Sequence, residues 1–437
     1  MHQSLESWGR FPRVPQRAWV IPDRWSSLPG TSGPVLPRGN GRSYGDSCLN
    51  GDGALLVTRR LDHFIAFDAE TGVLHCESGV TLGEILRVFV PRGWFLPVLP
   101  GTEFVTVGGA IANDIHGKNH HTMGSFGCHV ESFILLRSDG SERSCCAAGG
   151  DPLFAATLGG LGLTGLITRA ALRLRPVGSA WMHGESLRFA NLEEFFELSA
   201  SSQSAYEYCV AWIDCLANPR KGTPGVLTRG NHCGADEARI LDPPGSGRLG
   251  IPFLPPVSLV NPLTLRAFNS LYLRRQPAGA RPFRKHYAPF FFPLDSILNW
   301  NRMYGPRGFL QHQCVVPAAA ARATVGELLA RIAAGRQGSF LAVLKEFGPR
   351  ESGGLLSFAR PGVTLALDFP LRGPRTFALL DELDAVVVAA GGAVYPAKDA
   401  RMSGDTFRRS FPRWREFLSY IDPRFSSSWS RRVLGNP

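Results

Sequence analysis

A chain of 437 residues, 44% hydrophobic and 19% charged, is long enough to bury two cores and too apolar to be disordered. Its net charge of +11 favours acidic partners such as phosphates or an anionic membrane face, but it holds no long Lys/Arg block or RNA-reading motif, which argues against nucleic acid. Nine cysteines, an odd number with no CxxC pair, exclude a disulfide framework. The N-terminal stretch has no apolar signal core, and no run reaches the roughly eighteen apolar residues of a membrane span. The expectation is a cytoplasmic or membrane-peripheral protein.

Residues 1–33 are rich in Pro and Trp and are expected to wrap the first domain. The next stretch, VLPRGNGRSYGDSCLNGDG (35–53), begins with a short apolar strand and then breaks into glycines. Successive amides in such a glycine loop form an anion nest, strengthened here by Arg38 and Arg42. The GxGxxG fingerprint fails, because Tyr44 stands where the third glycine belongs and no apolar helix follows. Residues 54–80 alternate roughly and predict antiparallel strands. Thr81-x-x-Glu84 is a capping box opening a short helix with Leu82, Ile85, Leu86 and Phe89 on one face.

The stretch from Pro100 to Gly127 gathers glycines, an Asn-Asp pair, histidines and a lysine. A helix starting after Thr106 would aim free N–H groups at an anion, with Gly108 and Gly109 allowing close approach and His116, Lys118, His120 and His121 adding donors. A phosphate-bearing cofactor is the expected ligand. A metal site at His116, His120 and His121 is weakly supported, because glycine and asparagine interrupt the helical spacing. Residues 130–150 predict a hairpin turning at Asp139-Gly140, and 153–177 a helix, a tight Gly159–Gly165 loop and a strand.

Composition shifts after Pro176. Segment 217–262, rich in Pro and Gly, is expected to be a long mobile excursion. The aromatic stretch 286–316 reads mostly as core packing, with some residues flooring a pocket. Helices are expected at 317–335 and 376–390, and strands at 339–349 and 363–372. Lys345 on its apolar strand needs a partner, and Lys398 sits in a loop suited to function. The basic FRRSFPRWREF stretch reads as a solvated helical face, with contact to an acidic membrane as the alternative.

VLPRGNGRSYGD, PGTEFVTVGGAIANDIHGKNHH, GGLGLTG, FLQHQ, FGP, DFP and YPAKD together resemble the decaprenylphosphoryl-β-D-ribose 2′-oxidases, within the vanillyl-alcohol-oxidase/PCMH flavoprotein superfamily. The resemblance runs from about residue 10 to about 425. It implies an α+β fold, with a PCMH-type FAD-binding domain at 1–178 plus 393–437 and an antiparallel-sheet substrate domain at 179–392. FAD would lie against Arg38, Gly39, Asn40, Gly41, Arg42, Ser43 and Tyr44. A second set would be Gly101, Thr102, Thr106, Gly108, Gly109, Asn113, His116, Gly117 and Asn119. Gly165, Ile167 and Tyr395 complete it, with the GGLGLTG loop near the adenine half. The first loop contains no histidine, so the flavin is expected to be non-covalent.

The implied reaction is oxidation of the 2′-hydroxyl of a polyprenylphosphoryl ribose, with hydride passing to the flavin. Lys398 would bond flavin and hydroxyl and act as base, with Gln311, Lys345, Lys118 and Tyr44 beside it. Trp212, Phe291, Gln313 and Ala366 would line the substrate pocket. The family pattern has a cysteine where Ala366 stands, an asparagine at Thr364, and a tyrosine and a histidine at Phe291 and Phe292. These departures touch the substrate half and remove a thiol. An NAD(P)H-dependent keto-reductase would complete epimerisation, and quinone or O₂ would accept the electrons. A soluble-sugar alditol or aldonolactone oxidase is the enzymatic rival. A basic binding protein on a flavoprotein scaffold is the non-enzymatic one.

Overall fold

The computed structural model describes residues 5–30, 33–218, 222–234, 249–277 and 279–435. Among the described residues three sheets of three or more strands follow one another along the chain, beside two two-stranded ones. The first joins β1 (Arg17–Val20), β2 (Val35–Arg38) and β3 (Ala54–Val57) in the order β1-β3-β2, all parallel. Antiparallel pairing was the expectation at 54–57. The ALLV run is buried at all four positions, as befits the central strand of a covered parallel sheet.

The second sheet is antiparallel: β4 (Phe64–Asp68), β5 (Val73–Glu77), β6 (Val130–Leu136), β7 (Glu142–Cys146) and β8 (Leu166–Arg173), ordered β4-β5-β8-β6-β7. The β6–β7 hairpin turns through Asp139-Gly140, with Gly140 at φ 82°. Helix α1 (Leu82–Phe89) lies on this sheet. The Thr81 side chain accepts from the Glu84 amide, and the Glu84 carboxylate accepts from the Thr81 amide at 2.7 Å. Leu82, Ile85, Leu86 and Phe89 are buried beneath it. The short helix α2 (Val107–Ala112) packs beside it.

The third sheet has eight antiparallel strands: β9 (Trp181–Phe189), β10 (Tyr208–Ile213), β11 (Gly225–His232), β12 (Arg281–His286), β13 (Phe309–Val316), β14 (Ala342–Phe347), β15 (Gly362–Pro370) and β16 (Ala393–Val394). Their order is β12-β9-β11-β10-β14-β15-β13-β16. β11 falls inside the expected 217–262 excursion and corrects it: Val226 and Leu227 are buried, and the strand is hydrogen-bonded on both edges. Of that segment, 219–221 and 235–248 lie outside the described residues.

One core lies under the third sheet, where helices Ala318–Ala334 and Pro374–Ala389 meet Phe407, Phe417 and Trp429 from the C-terminal segment. FRRSFPRWREF therefore sends Phe407, Phe411 and Phe417 inward and leaves its arginines outside. A second core runs from α1 and α2 to Phe290, Phe291 and Phe292. At the sheet edge β16 pairs with β13 and leads directly into the Lys398 loop. No helix among the described residues is long and apolar enough to cross a membrane.

Candidate active site

The glycine loop after β2, the 99–118 segment and one face of the third sheet enclose a cavity of about 630 Å³. This is within the size range of small-molecule and cofactor sites. The N-terminal segment closes the loop from outside: the Trp8 and Gly9 amides donate to the carbonyls of Ser43 and Tyr44.

Gly41 turns the loop at φ 60°, a conformation that favours glycine. Among the described residues the amides of Gly39, Gly41, Arg42 and Ser43 make no hydrogen bond, so they remain available to an anion. The Arg42 guanidinium lies 4.3 Å from the Trp8 ring and 4.7 Å from the Phe104 ring. Its buried Nε has no partner among the described residues, nor have Ser47 Oγ and Ser78 Oγ, which also line the cavity. Such orphaned donors beside a cavity mark a place for a polar ligand. Arg38 plays a different part: its guanidinium donates to the carbonyls of Cys48 at 2.9 Å and Glu6 at 2.7 Å. It braces the loop. Asn40 ties the loop to the second segment through the Phe104 carbonyl, at 2.9 Å.

Helix α2 corrects one expectation. Thr106 caps it, but its first three amides are already occupied: Val107 donates to Val80, Gly108 to Ser78 and Gly109 to Thr106 Oγ1. The residues following β5 supply two of those acceptors, so α2 aims no free N–H at an anion. Gly108 and Gly109 line the cavity through backbone surface alone. Gly101, Thr102, Thr106, Asn113, Gly117, Gly165 and Ile167 also line it. Asn119 does not. Its amide donates to the Pro97 carbonyl at 2.9 Å and to Glu207 at 3.1 Å, bracing the segment from behind. The three histidines diverge as well: His116 Nε2 faces Gln313 at 2.8 Å, His121 faces the Tyr206 carbonyl, and His120 packs at a tilt against Phe347.

Beyond the loop, the C-terminal turn brings Tyr395 and Lys398 to the cavity wall. The Tyr44 amide donates to the Ala397 carbonyl, and the Tyr395 hydroxyl to the Asn113 carbonyl at 2.8 Å. Lys398 Nζ sits 3.8 Å from the centre of the Tyr44 ring. Burial holds the Lys398 pKa below that of an ordinary lysine. Behind it, the fully buried Asp368 accepts from Gln311 Nε2 at 2.6 Å and from the Tyr304 hydroxyl at 3.4 Å. Burial pushes this carboxyl upward, while its field favours the charged lysine.

On the sheet, Gln313 donates to Thr364 Oγ1 at 3.2 Å, and Ala366 lies in register between Gln313 and Val343. Lys345 donates to the Gly117 carbonyl at 3.2 Å, and Lys118 to the carbonyls of Phe290 and Phe291. Burial lowers Lys345 to about 8. Burial, then the charges of Lys345 and Lys285, lowers Lys118 to about 7. Lys285, half-buried on β12, lines the same cavity, as do Trp212, Phe268, Tyr272 and Phe291. Sequence reasoning passed over Trp8, Lys285, Asp295 and Asp368. Asp295 and Asp368 left a trace there only as members of the FFPLD and DFP runs, with no role assigned.

Residues 24–145 match the model of an FAD-binding domain. The chain is 37% identical over 413 residues to decaprenylphosphoryl-β-D-ribose oxidase of Mycolicibacterium smegmatis, covering 91% of this chain and 89% of that one. The chain belongs to the decaprenylphosphoryl-β-D-ribose oxidase family. It is an FAD-dependent oxidoreductase of α+β fold with a PCMH-type FAD-binding domain. It is also 33% identical over 369 residues to an uncharacterized Streptomyces coelicolor protein from the mprA 5′ region, covering 81% of this chain and all of that one. Human Δ(24)-sterol reductase matches over only 109 residues at 30% identity, a quarter of this chain and 21% of the reductase. The family's FAD fits the free amides and orphaned donors of the first loop, which suit a pyrophosphate.

Proposed function

We propose that the chain oxidises the 2′-hydroxyl of a polyprenylphosphoryl ribose to the 2′-keto sugar, the first half of epimerisation to the arabinose. The observation that carries this reading is the convergence of Lys118, Lys285 and Lys345 on one cavity, between Lys398 and an aromatic mouth at Trp212, Phe268 and Tyr272. Among the described residues none of these three lysines forms an ion pair with a carboxylate, and together they call for an anion. Bound FAD, held non-covalently, supplies the hydride acceptor. The first loop would hold its pyrophosphate through the amides of Gly39, Gly41, Arg42 and Ser43. Lys398 would take the hydroxyl proton, with Gln311 held by Asp368 to orient the sugar. The FAD half corresponds to 1–178 with 393–437, and the substrate half to 179–392. The product calls for an NAD(P)H-dependent keto-reductase, and quinone or O₂ would reoxidise the flavin. The reading places the enzyme in the cytoplasm or at a membrane face.

Product analysis tests it. Turnover should remove two hydrogens from the lipid-phosphate ribose, and borodeuteride should trap one deuterium at C2. Label at another carbon, or no label, would contradict the reading. The lysines add a pH dependence. A group that binds an anion as its cation loses that role as pH rises through its pKa. Affinity for the lipid-phosphate ribose should therefore fall about tenfold as pH passes from below about 7 to above about 8, the ranges of Lys118 and Lys345. Equilibrium titration of flavin fluorescence across that range checks it. Affinity that stays level would contradict the lysine assignment.

A further inference from the structure

Between Leu249 and Leu294 the sequence holds six arginines and lysines and no aspartate or glutamate. Most of the large exposed hydrophobic side chains among the described residues belong to the same stretch, including Phe253 (65% exposed), Val257 (67%) and Leu263 (78%). The helix Pro262–Arg274 explains how they stay outside. Leu265, Asn269 and Leu273 point inward, and Asn269 anchors the helix by donating to Asp214 at 2.6 Å. Leu263, Ala267 and Leu271 recur every fourth residue and form an exposed stripe on another face. Arg266, Arg274 and Arg275 flank that stripe, and Arg281 and Arg284 are exposed nearby on β12.

The patch adjoins the cavity. Phe268 and Tyr272 of the helix line its mouth, and Tyr272 packs against Trp212 at 4.7 Å. Apolar side chains ringed by arginines, in a stretch whose own sequence carries no acidic residue, are the composition of a surface that lies in a headgroup layer. A protein partner of equal fit would have to supply acidic groups around an apolar centre; an anionic bilayer offers both across its whole face. We propose that residues 249–259 and the helix Pro262–Arg274 form a docking face for an anionic lipid surface, which sets the cavity mouth against the membrane. Its purpose rests on the lipid-phosphate reading above. A polyprenyl chain would leave the cavity past Phe268 and Tyr272 and remain in the bilayer while the sugar reaches Lys398.

Co-sedimentation of the flavin-loaded protein with vesicles tests it without any substrate. Binding is expected to vesicles of phosphatidylcholine with phosphatidylglycerol, to weaken with salt, and to be lost on phosphatidylcholine alone. The double variant Arg266→Glu/Arg274→Glu should weaken binding by about fivefold or more per charge removed. Leu263→Glu/Leu271→Glu should abolish it. Both should keep full flavin content and turn over a detergent-dispersed substrate as the parent does. The control Arg408→Glu/Arg409→Glu lies on the C-terminal helix Gly404–Ser410, remote in sequence, and should bind as the parent does. Absence of binding by the parent, or equal loss in the control, would overturn the proposal. So would a patch variant that changes only the oligomeric state in sedimentation velocity, since the face would then meet a second copy. Vesicle binding through this patch, with no oxidation of the lipid-phosphate ribose, would sink the functional reading and leave the docking face standing.

Discussion

Lys398→Met should lower kcat by about 10²- to 10⁴-fold, the usual worth of a positioned general base, while the protein keeps its flavin. Lys398 is half-buried at the cavity wall, over the Tyr44 ring, and its pKa is held down by desolvation there. A base works in its neutral form, and a lowered pKa makes that form accessible as pH rises from the acid side. Activity of the parent should therefore rise with pH along an acid limb and then level. Lys398→Arg separates base from charge. Arginine keeps the cation and its donors but does not deprotonate in this range. It should be nearly as impaired as the methionine variant and should lose the acid limb. Stopped-flow flavin reduction at several pH values measures both. An arginine variant with near-parental reduction would reduce Lys398 to a hydrogen-bonding group.

Gly45→Ala should cost about 3 kcal/mol or more of stability and release FAD. A Cβ at Gly45 would stand 1.7 Å from the Asp399 carbonyl oxygen and 2.8 Å from the Ala400 side chain. The first obstacle is backbone, so no rotamer change relieves it. One of the two loops must move. Asp399 is held by Arg432 at 2.8 Å, and Arg432 also grips Asp46 at 2.8 Å, so the shift would break a buried ionic cluster. The same movement would carry Lys398 off the Tyr44 ring. Gly30→Ala is the control, because nothing lies within 4 Å of its added Cβ and it does not line the cavity. Thermal melts with flavin fluorescence as readout compare the two. Equal melting temperatures and equal flavin content would show that the two loops do not bear on each other as described.

The local parts of this architecture were legible in the sequence. The Thr81–Glu84 box, the Asp139-Gly140 hairpin and the Thr106 cap depend on residues within a few positions of one another, and each forms as read. The glycine loop at 39–45 also declares itself locally, since among the described residues the amides of Gly39, Gly41, Arg42 and Ser43 make no hydrogen bond. What escaped were effects of distant chain. The amides of Gly108 and Val107 are taken by Ser78 and Val80, which the cap motif does not show. Asp368 gains its setting from Gln311, 57 residues away. Trp8 covers Arg42 because Asn301 grips its carbonyl from 293 residues downstream. At β3 an apolar run was read with the rough alternation of the residues after it and placed in the wrong kind of sheet; burial at all four positions decided the matter. Strand β11 was hidden by the Pro and Gly residues around it, although its own core, Val226 and Leu227, is ordinary for a strand.

The central claim is that a flavin in this cavity takes hydride from a ribose held by its lipid phosphate. Anaerobic titration of the purified flavoprotein with a polyprenylphosphoryl ribose, followed in the visible spectrum, tests it most directly. The account predicts stoichiometric bleaching of the oxidised flavin bands by that substrate and no bleaching by free ribose, alditols or aldonolactones. Bleaching by the soluble sugars alone would contradict it and place the chain's chemistry with the alditol or aldonolactone oxidases.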